Sequence, residues 1–522
     1  MQRRMCHDRM ACKKSDEVSQ YRVLKLMQKN DLVSLLALVG ENHSSIFMTE
    51  FGELLAGSRN VSIYAKSQYE ASMLRFCLPG AHMFPEEKTL NEIAVMRYIY
   101  DHASIPVPFI FQSSAMPWKA PEPFIHMGYI QHRFTLNDAL NSPGLTIRDP
   151  PILNSQIDDN ELRNLYGKMA DILLRLSGLP MSRIGSLEQI DDFTWEVNYR
   201  PLSLSMNEIV RSGTLPREEL PRLETTFDTS SAYFKALTEI HIKHFAHQRN
   251  DAIDSEIDCR RKFIARQLFH KLAQDNKLVT PSLKNRSFTL WCDSLCPANV
   301  LLDDDQSVVG MLDWEFTYAA PAEFSCSPPW WLLLERPEWW PLGLDSWSET
   351  FQCRLKIFLE ALIAQEEKAV QEGWLTEEQR LSGPMWQSWE SGDFWISYAA
   401  RENFAFDEIY WTHIDPRFFG PTANPENAWK HRLDMLSEEQ KDEMERIVAQ
   451  KKANMKEKIL EWDPDENTIK WQAEFEQKRS SPSQEEEMMA DKDEIFIQSY
   501  GNLIKLRQSL TQKKFSEHSR MC

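Results

Sequence analysis

The chain has 522 residues, 42% of them hydrophobic, with 59 Lys and Arg against 78 Asp and Glu and a formal net charge of −19. That length supplies two or three units of ordinary size, each with its own core, while the acidic balance argues against nucleic acid as a partner, because phosphate backbones are held by clustered Lys and Arg. Nine cysteines in no paired framework point to a reducing compartment, and the lack of both GxGxxG and GxxxxGKS/T argues against dinucleotide-binding and P-loop folds.

In chain order, the first residues, MQRRMCHDRMACKK, are basic with one acid, Asp8. Their charge is like that of a mitochondrial presequence, but the amphipathic pattern and serines are poor, so the expectation is a disordered tail on a cytoplasmic protein. The apolar run from Leu32 to Val39 is too short to cross a bilayer, which takes about 20 apolar residues, and no membrane association is expected. Residues 46–130 alternate strand and helix signals. A Gly57-Ser58-Arg59-Asn60 turn precedes the VSIYA run, and SMLRF, Ser72 to Phe76, alternates as a strand carrying Arg75. KTLNEIAVMRYIYDH reads as a helix with Leu90, Ile93, Met96, Ile99 and Tyr100 on one side. Glu92 falls off that stripe, either solvated or within reach of a cation on the strand. Prolines in SIPVPFIF end the helix before another strand, and PFIHMGYI, Pro123 to Ile130, is a further apolar run.

From Leu162 the pattern is helical, with Leu162, Leu165, Met169, Ile172, Leu173 and Leu176 at helical spacing. His241, His244 and His247 follow at i, i+3, i+6. No Cys or carboxylate nearby completes a zinc site, which favours a structural role. The stretch FTLWCDSLCPANVLLDDDQSVVGMLDWEF, Phe288 to Phe316, reads as a strand, a polar loop and a β-hairpin. Pairing the hairpin symmetrically about Gln306 sets Asn299 opposite Asp313. An amide oxygen and a carboxylate facing one point suit a hard cation such as Mg²⁺, which takes few protein oxygens and completes its shell with water and phosphate. An ordinary surface hairpin with polar ends is the other reading. Trp330, Trp331, Trp339, Trp340 and Trp347 come next, as core, as lid, or as faces for an alkylammonium group. Beyond residue 436 the chain becomes a highly charged helix with i+3 and i+4 ion pairs, then a linker around SSPSQEEEMMADKDE, then the modestly apolar IFIQSYGNLIKLRQSLTQKK.

The Phe288–Phe316 stretch resembles the catalytic and metal-binding loops of the aminoglycoside phosphotransferase family, small-molecule kinases with a protein-kinase-like fold. Their pattern is His-Gly-Asp-Leu-His-Pro-Gly-Asn, a hairpin, then Ile-Asp-Trp-Glu. CDSLCPANVLL and LDWEF lie on it, and DWEFTYAAPAEF with PPWWLL is similar to the family's large fungal branch. The resemblance covers residues 50–430. It implies an α/β (α+β) two-lobed fold with a small β-rich N-lobe at 46–130 and a large helical C-lobe at 131–435, between an N-terminal extension at 1–45 and a charged helical tail at 436–522.

It further implies ATP and Mg²⁺ as cofactors and a small-molecule hydroxyl as acceptor, with Gly57 and Ser58 in the turn over the phosphates and Arg75 as the phosphate-binding cation oriented by Glu92. Met127 to Ile130, Met127 and Tyr129 among them, would be hinge contacts to adenine, and Asn299 and Asp313 would hold the metal. One departure stands out: the family's catalytic Asp falls on Ser294, whose hydroxyl cannot take a proton at neutral pH as a carboxylate can. Asp293, one place early, is the nearby carboxylate. The expectation is therefore an ATP-dependent phosphotransferase. The alternatives are a nucleotide- or metal-binding relative impaired in turnover, and a structural partner acting through its Trp-rich segment and C-terminal helices.

Overall fold

The computed structural model describes residues 5–28, 48–67, 71–115, 122–145 and 149–479. The Leu32–Val39 run, the linker near 485 and the terminal apolar segment lie outside them. The chain is a mixed α/β protein with a small antiparallel lobe and a large helical one. The small lobe is a five-stranded sheet, β1 (Met48–Ala56), β2 (Asn60–Ser67), β3 (Ala71–Cys77), β4 (Ile110–Ser114) and β5 (Phe124–Gly128), in the order β1-β2-β3-β5-β4.

The period-2 pattern of β3 decides what each face of this sheet does. Leu74 and Phe76 pack with Val61, Ile63, Ala65 and Phe124 in an apolar layer under Leu26. Arg75 alternates to the other face, towards the Pro85–His102 helix. That helix begins with a proline and two acids in its first turn, an arrangement favoured at a helix N-terminus. Its buried side differs from the expected stripe: Ile93, Met96 and Ile99 are buried, but Leu90 and Tyr100 are exposed, and Lys88, Asn91 and Glu92 are buried instead. Asn91 bridges to the large lobe, donating to the Thr317 carbonyl and accepting from Leu187 N–H. The buried side thus mixes apolar and polar residues, which a hydrophobic stripe cannot reveal.

The large lobe holds the Asp159–Ser177 helix where the spacing predicts it, packed on the long Gly343–Gln371 helix. Among the tryptophans, Trp331 and Trp347 are core, and Trp330 lies under the Arg336 guanidinium at 4.6 Å. The three histidines diverge: His241 meets the Ala400 carbonyl at 3.2 Å, His244 is fully buried, and His247 faces Glu219 at 3.7 Å. The helix Glu438–Lys456 is not exposed all round as its charges suggest, since Met444, Val448 and Lys451 are buried.

The hairpin of Val300–Leu302 and Val308–Met311 forms, with a register that differs from the expected one. Val300 pairs with Met311 and Leu302 with Val308, the irregularity lying between Leu301 and Leu302. Asn299 therefore stands beside Leu312, whose N–H donates to the Asn299 carbonyl at 2.9 Å, and Asp313 follows one residue later. The turn is centred on Asp305, which by itself would set Asn299 opposite Met311, and the extra residue in the second strand restores one position and brings Leu312 there.

The N-terminal stretch is not a disordered tail over residues 9–27, which form a helix capped by Asp8 through Met10 and Ala11 N–H. This helix straps the lobes together. Asp8 N–H donates to the Ser212 carbonyl at 2.7 Å in the large lobe, while Ser19 and Ser15 hydroxyls donate to the Pro79 and Gly80 carbonyls in the small one. Arg22 is buried against Glu122, which also accepts from Trp471 of the Glu466–Arg479 helix. Gly80, at φ +81, lies under the strap, and a Cβ there would come within 2.6 Å of the Ser15 carbonyl oxygen. Gly80→Ala should cost about 1–3 kcal/mol in chemical denaturation and release the first helix to limited proteolysis, whereas Gly144→Ala, at a comparable φ but in open space, should leave the proteolysis pattern unchanged.

Candidate active site

Arg75, projected from the centre of the small-lobe sheet, donates to Glu92 on the Pro85–His102 helix at 2.8 Å. Its other terminal nitrogen is shared between Asp313, which it meets at very close range, and Glu315 at 3.3 Å. The expected strand–helix pair thus forms, and the same guanidinium crosses to the loop that follows the hairpin. That loop is held in an unusual backbone: Asp313 (φ 64) and Phe316 (φ 56) both lie in the left-handed region, where non-glycine residues are uncommon and cluster at functional sites.

Glu315 is the hub. It is fully buried and accepts from Arg59 Nε at 2.6 Å and from Asn60 Nδ2 at 2.9 Å, with Lys88 Nζ at 3.1 Å and His82 Nε2 at 3.6 Å. Lys88 also pairs with Glu92 at 2.8 Å, one helical turn away. Arg59, Arg75 and Lys88 balance Glu92, Asp313 and Glu315, three charges of each sign. Burial opposes every one of these charges, so the shifts report which neighbours prevail. Burial would raise the Glu315 pKa, but Arg59 and Lys88 carry it well below the carboxylate range. Burial would lower the Arg75 pKa, but Glu92 and Asp313 push it up. Burial and then Lys88 push His82 well below its usual value, so it sits there neutral.

The sequence assigns no role to Lys88, His82 or Glu315, and Arg59 and Asn60 enter it only as part of the turn over the phosphates. A signal existed for Lys88, which stands four residues before Glu92 on a helix, the spacing at which opposite charges meet. Glu315 lay within the LDWEF match without a role.

The remaining expected residues fall around this cluster. Gly57 and Ser58 are the exposed tip of the β1–β2 turn, closed by Gly57 N–H on the Asn60 carbonyl at 2.8 Å. Met127 is buried in β5 opposite Met73, and half-exposed Tyr129 meets Tyr64 edge-on at 5.1 Å. Register puts these four side chains on the Arg75 face of the sheet. The N–H groups of Gly128 and Tyr129 are already bonded to Phe109 and Ala71 carbonyls, so hinge contacts through them compete with the sheet.

In the polar loop, Asp293 turns towards the large lobe. One of its oxygens accepts from the Leu204 N–H at 2.9 Å, at the start of the Leu204–Gly213 helix, and the other from Trp291 Nε1 at 2.7 Å. Burial raises its pKa, opposed by Arg401. Ser294 is buried, and its hydroxyl has no partner among the described residues. Asn299 donates its amide N–H to the Ser294 carbonyl at 2.8 Å, which leaves its Oδ1 as the remaining acceptor. Asp313 keeps 28% of its side chain exposed beside it in the chain fold. Among the described residues no group of three His, Cys, Asp or Glu side chains is placed to hold a metal ion. Two open grooves of about 520 and 430 Å³ lie elsewhere in the large lobe, one along Asp159, Glu349 and Arg354, the other along Trp389, Trp395 and His413; neither contains an expected site residue.

Glu315→Gln should destabilise the protein by about 3–5 kcal/mol in chemical denaturation, because it leaves buried cations with one charge too few. The conservative size of the substitution separates this loss from a cavity effect. A change under about 1 kcal/mol would mean that Glu92 and Asp313 suffice to hold the three cations.

No family model matches the chain, and no curated protein matches it. Solved structures that resemble it include the GDP and kanamycin complex of APH(2")-IIia, at 12% identity over 80% of this chain and 98% of that one, with a TM-score of 0.34. A macrolide 2'-phosphotransferase type I is similar at 13% identity over 78% of this chain and 97% of that one, with a TM-score of 0.38. The aminoglycoside phosphotransferase APH(4)-Ia, in a ternary complex with AMP-PNP and hygromycin B, is similar at 13% identity over 72% of this chain and 97% of that one, with a TM-score of 0.36.

Proposed function

We propose that this chain is an ATP-dependent phosphotransferase of the aminoglycoside phosphotransferase type, moving the γ-phosphoryl group to a hydroxyl of a small molecule. The observation that carries the reading is the meeting of Arg75, Glu92 and Asp313 between the lobes. A strand cation fixed by a helix acid and set against a loop carboxylate is what phosphoryl transfer asks of a protein, because its loose transition state is stabilised by positioning and charge neutralisation. In this reading the Gly57–Asn60 turn covers the phosphates, Arg75 bonds to them, and the Tyr64, Met73, Met127 and Tyr129 surface takes the base.

Asn299 Oδ1 and the Asp313 carboxylate, whose side chain keeps 28% exposure, suit a hard divalent cation, which completes its shell with water and phosphate oxygens. Bound there, such an ion would neutralise phosphate charge. The acceptor hydroxyl then attacks the γ-phosphorus, the bond to the β,γ-bridging oxygen breaks, and ADP leaves while the hydroxyl proton passes to a base or to water.

The base is where a second reading has support. Both Asp293 oxygens are committed to Leu204 N–H and Trp291, and Ser294 offers a hydroxyl that cannot take a proton at neutral pH. This favours a nucleotide-binding relative with weak or absent turnover. ATP consumption across a panel of small hydroxylated acceptors separates the two. Ser294→Asp should raise it by about 10²–10⁴ if the missing carboxylate limits the rate. If Asp293 breaks its bonds to serve, Asp293→Asn silences the wild type instead.

For nucleotide binding, Arg75→Ala should weaken MgATP in isothermal titration by at least about tenfold. Arg97→Ala, which removes an exposed arginine bonded to Gln189, should not. Asp313→Ala should abolish the Mg²⁺ dependence of binding in a folded protein. Equal effects of the two arginine variants would remove Arg75 from the phosphate site.

A further inference from the structure

Arg59 stands apart from the other cations of the cluster. Its guanidinium reaches across from the β1–β2 turn of the small lobe to Glu315 of the large lobe, and its side chain keeps 23% exposure where Arg75 keeps 8% and Lys88 only 2%. It is the outermost of the three charges. Its backbone is anchored independently, because the Arg59 carbonyl accepts from Leu78 N–H at 2.9 Å at the end of β3 and the turn is closed by Gly57 on Asn60. The side chain can therefore leave Glu315 without the turn moving.

Glu315 can also release it. With Arg59 gone, the carboxylate still accepts from Asn60 at 2.9 Å and lies 3.1 Å from Lys88 and 3.3 Å from Arg75. Lys88 is shared with Glu92, and Arg75 with Glu92 and Asp313. Three cations against three acids leave no surplus positive charge for a polyphosphate unless one cation changes partner. Arg59 is the one that solvent reaches most easily.

We infer that Arg59 is a polyphosphate-binding residue that rests on Glu315 when the cleft is empty and moves to the β- and γ-phosphates of a nucleotide when it is filled. The exchange substitutes a phosphate oxygen for one carboxylate oxygen on a planar fork that suits both. It breaks an inter-lobe ion pair in the same step, so ligand charge and the contact between lobes become linked. This inference rests on the cleft being the nucleotide site.

The test is isothermal titration of the full chain with MgATP and, separately, with AMP, for wild type, Arg59→Ala and Arg59→Gln, with thermal melts of each unliganded protein to confirm folding. Both variants should bind MgATP about 10- to 100-fold more weakly, the range of a charge-assisted phosphate contact, while AMP affinity stays within about threefold. A folded variant that loses affinity equally for both ligands, or binds MgATP unchanged or more tightly, would overturn the inference and leave the nucleotide site standing. Wild type that binds neither ligand would overturn the nucleotide site and this inference with it. If both neutral variants unfold, Arg59→Lys is read by the ratio of MgATP to AMP affinity: a fall of about threefold or more supports a guanidinium fork on the phosphates, and an unchanged ratio contradicts it.

Discussion

The carboxylate of Glu315 has no exposure to water, and the molecule is arranged so that it never lacks a positive neighbour. Removing a carboxylate from water costs several kcal/mol, which mutual attraction offsets only when geometry and additional hydrogen bonds are good. Here the compensation comes from three separate pieces of chain: the β1–β2 turn through Arg59 and Asn60, β3 through Arg75, and the Pro85–His102 helix through Lys88. All three belong to the small lobe, whereas Glu315 belongs to the loop leaving the large-lobe hairpin. One buried charge therefore sets the distance between the lobes. The Arg9–Met27 helix adds a second tie on the outside, through hydrogen bonds to Ser212 on one lobe and Pro79 and Gly80 on the other. A cleft closed by ion pairs differs from one closed by apolar packing in that charge on a ligand can compete for it.

Much of this frame is legible in the sequence. Alternation in SMLRF puts Arg75 on the opposite face from Leu74 and Phe76, and Glu92 does meet it. The hairpin and the Asp159–Ser177 helix are read correctly from apolar runs and spacing. What escapes is governed by long-range charge. Periodicity assigns Leu90 and Tyr100 to the buried side of their helix, but that helix buries polar atoms because its partners are an arginine and a glutamate from elsewhere. The register of the hairpin escapes for a different reason. A turn centred on Asp305 rather than Gln306, and a bulge between Leu301 and Leu302 that offsets half of the resulting shift, change no residue type that a pattern could detect, yet together they set Asn299 beside Leu312 rather than Asp313. The N-terminal helix escapes because its buried side includes Ser15 and Arg22, whose partners Arg211 and Glu122 stand 196 and 100 residues away.

The polar loop shows how a neighbouring helix can decide the fate of a candidate catalytic group. Asp293 sits at the N-terminus of the Leu204–Gly213 helix and accepts a backbone N–H there, so the helix dipole and the Trp291 indole both favour its present position. Burial raises its pKa, which a general base near neutrality would need. The two bonds favour the ionised carboxylate and so oppose the rise that burial brings, while each oxygen keeps a second lone pair. Ser294, one residue on, occupies the buried position without a partner. Architecture does not decide turnover, which has to be argued from these two residues.

A phosphate site at the charge cluster between the lobes, as proposed above, would be held closed by the protein's own side chains. Hydrogen–deuterium exchange of the full chain with and without MgATP addresses it directly, since exchange reports local opening segment by segment. The expected change is confined to three places that the sequence separates widely: the Gly57–Asn60 turn, the Met127–Ile130 segment and the Leu312–Phe316 loop. Exchange in these segments that is the same with and without saturating MgATP, or a change only in the groove along Trp389, Trp395 and His413, would contradict it.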